Sequence, residues 1–324
     1  DPHAIREHTN QLVALEDGQI AKLDAHDFQV MQTDGQEVES QLLQLEEEWG
    51  ESELGAYPHF MLKEIHEQSQ SLQHCISGRL RHAEGTSVLG GLQVQPQELA
   101  QLPHVRLIGC GTALHAAQIG QILIEQWARI PAVSHVASEF NANDPVINPK
   151  ALHLAISHSG ETADTLSAGK EIQRKGADVY GIVNVVGSSI ARQCGKGVYI
   201  HSGPEQSVAS TKAFTNMVGA LALFALQLGR SRHLSKTKGK SIIREMRTLP
   251  EKIRTYLEQP GPIEQAVELV TKAQSVLFLG RGISSPVASE GALKLMEIAY
   301  IPCLAYPAGE MKHGPIALIE ENSP

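Results

Sequence analysis

Short apolar runs alternate with longer segments of helical periodicity along most of this chain. Runs of strand length occupy residues 105–108, 132–136, 152–156, 179–183 and 198–200. Between them lie amphipathic or apolar stretches such as residues 114–127 and 163–173. This alternation predicts an α/β fold, a doubly wound parallel sheet with flanking helices.

The first residues follow a different pattern. Residues 1–37 alternate apolar and polar positions and are interrupted at Asp17-Gly18 and Asp34-Gly35, which predicts β-hairpins. A few strands cannot bury a core alone, so we expect them to belong to a larger sheet. Residues 38–52 are acidic and helical in composition, and a further helix is predicted over residues 60–81.

One predicted strand, residues 152–156, leads into a turn rich in hydroxyl groups. Ser157, Ser159 and Thr162 lie between it and the helix predicted over residues 163–173. The first N–H groups of a helix lack intrahelical partners and carry partial positive charge, which favours an anion. The sequence therefore predicts a phosphate site here. The alternative is that Ser159 or Thr162 only caps the helix.

Two short motifs recur at one spacing. Gly109-Cys-Gly111 returns as Gly280-Arg-Gly282, and Ala137-Ser-Glu139 returns as Ala308-Gly-Glu310; position 280 follows 109, and 308 follows 137, by the same 171 positions. Leu114 stands where a dinucleotide-binding fingerprint needs its third glycine, which disfavours a Rossmann cofactor site. The spacing instead indicates a duplicated domain. The second copy of the predicted phosphate turn would fall at positions 328–333, beyond residue 324. We therefore expect part of the apolar face of the second domain to lack cover.

The patterns divide the chain into five expected segments. They are a remnant of another domain at residues 1–45, a helical linker at 46–75, a first α/β domain at 76–230, a helical connector at 231–262 and a partial second copy at 263–324.

Composition narrows the classes of partner. The formal net charge of −9 disfavours a nucleic-acid surface and leaves any anionic ligand dependent on a local site. The apolar run at residues 217–228 is too short to span a bilayer, so we expect no membrane partner. The four cysteines form no C-x-x-C pair, which favours a reducing, cytoplasmic setting. His66-Glu67 is followed by Gln70 where a zinc helix needs histidine, so neither a metal nor a cofactor is predicted.

Four ordered motifs carry a resemblance to a known family. They begin at Ser157 (Ser-His-Ser-Gly-Glu-Thr-Ala-Asp-Thr), Val208 (Val-Ala-Ser-Thr-Lys-Ala), Glu290 (Glu-Gly-Ala-Leu-Lys) and Ala308 (Ala-Gly-Glu-Met-Lys-His-Gly-Pro). Together they resemble the isomerase half of the glutamine-fructose-6-phosphate aminotransferases, a pair of sugar isomerase (SIS) domains. Residues 1–30 resemble the last strands of that family's glutaminase domain.

The resemblance implies an activity and a set of site residues. The family transfers ammonia from glutamine to fructose 6-phosphate and isomerises the product to glucosamine 6-phosphate, in homodimers or larger homo-oligomers. The substrate-binding positions that it implies are Thr112, Ala113, Ser157, His158, Ser159, Thr162, Val208 and Ser210. The family usually has serine at position 113 and glutamine at position 158, so Ala113 removes a donor and His158 adds a titratable ring.

Three catalytic positions are also implied. Glu297 aligns with the base that moves a proton between C1 and C2, and Lys294 is the last residue of the motif that begins at Glu290. The alternative is that Glu297 is only an exposed helix acid or an ion-pair partner for Lys294. His313 aligns with the residue that opens the sugar ring, which the family takes from the neighbouring subunit. Lys212 is expected to be structural and to pair with Glu205.

Two family residues have no counterpart in this sequence. The chain begins with Asp1 where the glutaminase nucleophile is a cysteine, and the Schiff-base lysine would lie beyond Pro324. We therefore expect an incomplete or inactive form of the enzyme. The alternative is a sugar-phosphate sensor without turnover. A serine hydrolase is disfavoured because Ser157 and Glu161 occupy the glycine positions of a G-x-S-x-G turn.

Overall fold

The computed structural model describes residues 8–9, 11–15, 18–40, 42–44, 53–259, 261–321 and 323–324. These residues fall into two compact units, residues 1–51 and residues 52–324. The five-segment division remains a prediction.

The first unit is built from short antiparallel strands. Strands β2 (Gln19–Leu23) and β3 (Phe28–Gln32) form a hairpin, and β1 (Gln11–Val13) pairs with β4 (Leu42–Gln44). The predicted hairpin is confirmed for β2 and β3, whereas residues 1–7, 10, 16 and 17 of the predicted segment lie outside the described residues. The helix predicted over residues 38–52 is wrong at β4, because pairing with β1 overrides the helical preference of the acidic sequence. Residues 45–52 lie outside the described residues.

The second unit contains the remaining elements. In chain order they are α1 (Phe60–Ile76), β5 (Leu80–Arg81), β6 (Thr86–Ser87), α2 (Pro96–Gln101), β7 (Val105–Gly109), α3 (Thr112–Ala128), β8 (Ala132–Val136), α4 (Ala137–Phe140), β9 (Leu152–Ser157), α5 (Ala163–Arg174), β10 (Val179–Val183), α6 (Ser189–Cys194), β11 (Gly197–Tyr199), α7 (Lys212–Arg230), α8 (Lys236–Leu257), α9 (Gly261–Val270), β12 (Val276–Gly280), α10 (Ser284–Ala299) and β13 (Cys303–Pro307). Short 3-10 helices follow at Ala308–His313 and Pro315–Leu318.

A five-stranded parallel sheet organises this unit, in the order β11-β10-β9-β7-β8. The chain places β8 on one side of β7 and then returns to place β9 on the other. The strand order therefore reverses between β7 and β9, the position at which open α/β sheets commonly bind ligands. The predicted doubly wound parallel sheet is confirmed.

The sheet is covered on both faces because neighbouring residues along a strand point in opposite directions. Leu107 and Leu154 belong to a core with α1, α3 and α7, whereas Ile108 and Ala155 belong to a second core with α4, α5 and α6. Helix α1 thus packs into the main core, although its residues were predicted as a linker. Helix α1 also ends at Ile76, five residues before the predicted end at Arg81. Gly78, two residues after the helix, adopts a φ of +70°.

Helix α7 contains the longest apolar run. Among the described residues it is the one helix whose length and composition would allow it to cross a membrane, but 72% of the relevant window is buried within the fold. It packs against α3 and α1. Most of its apolar side chains are therefore buried in the core of this unit.

The predicted repeat is present in the structure. Strands β12 and β13 pair in parallel with Val276 opposite Cys303, just as β7 and β8 pair with Val105 opposite Ala132. Both partners of the second pair lie 171 positions after those of the first. Gly111 and Gly282 also have similar φ values, +52° and +58°. The second copy has a small core and exposes apolar residues, including Leu279, Val287 and Leu304.

Candidate functional site

The predicted site residues lie at the carboxyl edge of the parallel sheet. Thr112 begins α3 directly after β7, and the segment Ser157–Thr162 (here the cradle) joins β9 to α5. Since β7 and β9 are adjacent and parallel, both segments emerge at the same edge. This is also where the strand order reverses, so the sheet brings the predicted phosphate turn and the Gly-x-Gly turn to a common crevice.

The cradle is shaped by its own hydroxyl groups. The Oγ of buried Ser157 accepts a hydrogen bond from Gly160 N at 3.0 Å and lies 2.9 Å from Thr162 Oγ1. The Oγ of Ser159 accepts from Glu161 N at 3.1 Å. Thr162 is the N-cap residue of α5, but neither side chain makes the helix-capping bond. The capping alternative therefore fails for the side chains, and the hydroxyls are arranged around the loop.

His158 is held between two polar residues. Its Nε2 lies 3.3 Å from Asn184 Nδ2, and its Nδ1 lies 3.9 Å from a carboxylate oxygen of Glu205. Asn184 is buried and also binds Gly203 O and Ser202 N. The ring is thus attached to the loop that follows β11.

That loop, residues 202–211, carries Val208 and Ser210 between two anchoring carboxylates. Glu205 accepts hydrogen bonds from Ser210 Oγ at 2.9 Å and from Thr211 N at 2.7 Å. The fully buried Glu64 of α1 accepts from Ser207 N at 3.2 Å and contacts Ser207 Oγ. Val208, at the tip, is 88% exposed. The two anchors fix the base of the loop and leave its tip open to a ligand.

The predicted pairing of Lys212 with Glu205 is wrong. The Lys212 ammonium lies 2.6 Å from Glu67 of α1. Glu205 is already occupied by the N–H and hydroxyl groups of the loop, whereas Glu67 faces Lys212 across the contact of α1 with α7. Burial raises the pKa of the Glu67 carboxyl, but the hydrogen bonds and charges of Lys212 and Lys63 together outweigh burial and hold that pKa below its ordinary value.

The second repeat contributes a polar network to the same crevice. On α10, Lys294 Nζ lies 2.8 Å from Glu297 and 3.1 Å from Thr112 Oγ1. The buried Glu290 accepts from Thr112 Oγ1 at 2.8 Å and lies 2.7 Å from His115 Nδ1. Glu297 forms the ion pair that the alternative interpretation predicted, yet its side chain remains 33% exposed. The structure therefore brings Thr112, Lys294 and Glu297 together.

Ala113 and His313 stand apart from this network. Ala113 is buried in the first turn of α3 and offers no side-chain donor. His313 ends an exposed 3-10 helix, Ala308–His313, after β13. Its exposure would allow contact with a second molecule.

Sequence reasoning missed several residues of this edge. Glu64, Asn184 and His115 were given no role, and Glu290 was quoted only as part of a motif. The spacing of Glu290, Lys294 and Glu297 places them on one helix face and could have shown the network within α10. Contacts such as that of Glu64 with Ser207 join positions too distant in sequence for any local signal. Among the described residues, no group of three or more His, Cys, Asp or Glu side chains could hold a metal ion.

The sequence of this chain is similar to a known domain family and to full-length proteins of known activity. A family model described as the SIS domain matches residues 98–227 and 269–324. The chain is 44% identical over 325 residues to a glutamine–fructose-6-phosphate aminotransferase (isomerizing) of Thermus thermophilus and 44% identical over 324 residues to that of Chlorobaculum tepidum. Each alignment covers all of this chain and 53% of the relative, so the chain spans about half the length of these proteins.

A solved structure has the same architecture. The C-terminal domain of glucosamine-fructose-6-phosphate aminotransferase from Francisella tularensis superposes with a TM-score of 0.79 at 34% sequence identity. The match covers 84% of this chain and 76% of that domain.

Proposed function

The chain belongs to the SIS domain family, and from that premise we propose that it is the sugar-phosphate isomerase part of a glutamine-fructose-6-phosphate aminotransferase. In this reaction fructose 6-phosphate receives ammonia released from glutamine and becomes glucosamine 6-phosphate. The observation that carries the proposal is the crevice where the strand order reverses. It combines an anion cradle on β9–α5 with the Thr112, Lys294 and Glu297 network.

The cradle would hold the phosphate group. The half-buried Ser159 and Thr162 can offer hydroxyls to phosphate oxygens, while the first N–H groups of α5 add their dipole. Ser157 is buried and supports the loop from within. His158, Val208 and Ser210 would line the sugar side, and Ala113 would leave one phosphate oxygen with fewer donors than its serine-bearing relatives provide.

Glu297 and His313 would carry the proton transfers. A carboxylate can remove a proton at C1 and return it at C2 if it lies against the substrate carbons, and the Lys294 ammonium, 2.8 Å from Glu297, would orient it. His313 would open the hexose ring from a neighbouring copy of the chain, which makes a homodimer or larger homo-oligomer part of the proposal. A cytoplasmic location is proposed with it.

Calorimetry on the full chain tests this function. We expect fructose 6-phosphate and glucosamine 6-phosphate to bind, and Ser159→Ala and Thr162→Val each to weaken binding about tenfold, because a lost hydrogen bond to a charged group costs about 1.5 kcal/mol. Ser167→Ala, on the following turns of α5 and bonded to Asn141, is the matched control and should change nothing. Absence of binding by the unmutated chain would contradict the proposal.

Turnover separates the enzyme from the sensor. Formation of glucosamine 6-phosphate from fructose 6-phosphate and an ammonium salt supports the isomerase, and Glu297→Gln should abolish it while phosphate affinity stays within about twofold. Binding with no turnover under these conditions would fit both the expected incomplete or inactive form and the non-catalytic sugar-phosphate sensor, whereas turnover would exclude the sensor.

A further inference from the structure

Glu290 is a buried carboxylate that connects the two repeats. It lies on α10, yet one oxygen accepts from Thr112 Oγ1 at 2.8 Å and the other lies 2.7 Å from His115 Nδ1, both on α3. Lys294 Nζ approaches the first of these oxygens at 3.4 Å from within α10. Each carboxylate oxygen therefore has a partner from the first repeat.

Two carboxylates of α10 lie near the same ammonium group. The Lys294 ammonium lies between two carboxylates, Glu290 and Glu297, and it also donates to Thr112 Oγ1 at 3.1 Å. With Glu290 present, the Thr112 hydroxyl accepts a hydrogen bond from Lys294 and donates one to the carboxylate. This arrangement fixes the direction of the Thr112 hydroxyl and leaves its remaining lone pair for a ligand.

Helix geometry makes the contact specific. Thr112 and His115 are separated by three positions, as are Lys294 and Glu297, whereas Glu290 and Lys294 are separated by four. Two such faces meet where α3 packs against α10. A buried carboxylate without these partners would strongly destabilise the fold. Glu290 therefore requires the contact between α3 and α10.

We propose that Glu290, held by His115, is a positioning residue that fixes the Thr112 hydroxyl and the Lys294 ammonium at the sugar end of the crevice. The effect of Glu290 on sugar binding rests on the proposed function, whereas its hydrogen bonds to Thr112 and His115 do not. Glu290 reaches the ligand only through Thr112 and Lys294. The phosphate end of the site keeps its own hydrogen bonds within the cradle.

The first experiment measures Lys294 without any ligand. The reaction of Lys294 with an amine-acylating ester is followed by mass spectrometry, with exposed Lys252 as internal standard. We expect Glu290→Gln to raise the Lys294 rate at least threefold, because the amide cannot accept from both neighbours and carries no charge. Glu125→Gln is the matched control at the other end of α3, where its side chain accepts from Ala132 N at 3.1 Å. An unchanged rate in Glu290→Gln would overturn the inference.

The role of His115 has its own variants. His115→Gln keeps a donor toward Glu290 and should leave the Lys294 rate near that of the unmutated chain. His115→Ala removes it and should raise the rate. Equal rates in the two variants would overturn the assignment of His115, and these variants decide the question if Glu290→Gln does not fold.

The second experiment uses ligands. We expect Glu290→Gln to weaken fructose 6-phosphate affinity about tenfold while inorganic phosphate affinity stays within about twofold. Equal loss of both affinities would mean a general structural role and would overturn the proposal. If the unmutated chain binds neither ligand, the proposed function fails, while the acylation result still decides the position of Lys294.

Discussion

Buried carboxylates hold the polar residues at the carboxyl edge of the sheet in place. Glu64 anchors the loop after β11, Glu205 closes its base, and Glu290 connects α3 to α10. Each is matched to N–H, hydroxyl or cationic donors, as a buried charge requires. None of these carboxylates would contact a ligand directly. They instead hold in place the segments that carry exposed residues such as Val208.

Restoring a donor at position 113 is the first residue-scale prediction. Ala113 lies beside Thr112 in the first turn of α3. We expect Ala113→Ser to tighten fructose 6-phosphate binding about fivefold, because the new hydroxyl adds a hydrogen bond toward the phosphate. Calorimetry measures it. Ala116→Ser, one turn further and fully buried, is the control: it should lower stability without raising affinity. Unchanged affinity in Ala113→Ser would remove position 113 from the binding site.

The second residue-scale prediction concerns pH. His153 is fully buried in β9, and burial lowers its pKa from 6.5 to about 4, with the Asn148 carbonyl opposing the shift. Between about pH 6.5 and 4 the unfolded chain binds a proton that the folded chain does not. The free energy of unfolding should therefore fall as pH decreases through this window, by at most about 1.4 kcal/mol per pH unit from this group.

Urea unfolding at several pH values checks this expectation. His153→Gln should flatten the dependence, whereas His82→Gln, at an exposed position, should leave it as it is. The same slope in both variants would show that His153 does not contribute.

At the scale of elements, the helix that follows each strand depends on tight turns. The cradle turn brings Gly160, with a φ of +69°, against Ser188 at the start of α6. A Cβ on Gly160 would lie 2.0 Å from Ser188 Oγ. Glu161 then accepts from Ser189 N at 2.9 Å, so the cradle also supports the first turn of α6. The cradle is thus held by the neighbouring strand-to-helix connection.

Gly160→Ala should consequently destabilise the protein. We expect a loss of about 3 kcal/mol, part from the left-handed backbone and part from the clash with Ser188. Gly176→Ala has a similar φ, +85°, with nothing within 4 Å, and should cost only about 1 kcal/mol. Thermal unfolding compares them. Ser188→Gly should recover part of the Gly160→Ala loss; no recovery would mean that the close approach does not determine the cost.

At the scale of the whole second unit, the two repeats differ greatly in burial. The first copy has a sheet buried on both faces, with large fully buried side chains such as Leu107 and Ile156. The core of the second consists of Val276, Ala292 and Cys303 with partly buried neighbours. Since local stability follows buried apolar contact, the two repeats should open with different free energies.

Amide hydrogen exchange measures that difference. We expect the amides of β12 and β13 to exchange at least a hundredfold faster than the equivalent amides of β7 and β8, because the two-stranded pair has little core to protect it. The two strand pairs share one register, so they serve as internal controls for each other. Equal protection would show that contact with α3 stabilises the second repeat as fully as the sheet stabilises the first.

Local patterns in the sequence were sufficient to predict the α/β class, the 171-residue repeat, most strand positions and the place of the strand-to-helix turn at residues 157–162. These follow from local signals: the period of apolar residues, the glycine turns and motifs of a few neighbouring positions. Local signals failed where pairing was distant, as for β4 and the partner of Lys212.

Only the tertiary structure decided which side chains meet. Glu64 and Ser207, Lys212 and Glu67, and Thr112 and Glu290 are far apart in sequence and become neighbours when α1 packs on α7 and α10 packs on α3. A buried charge is stable only with a partner at hydrogen-bond distance, and the chain alone does not specify which distant donor will arrive there. The position of the crevice was accessible from the sequence because parallel strands end together, while the contacts within it depended on helix packing.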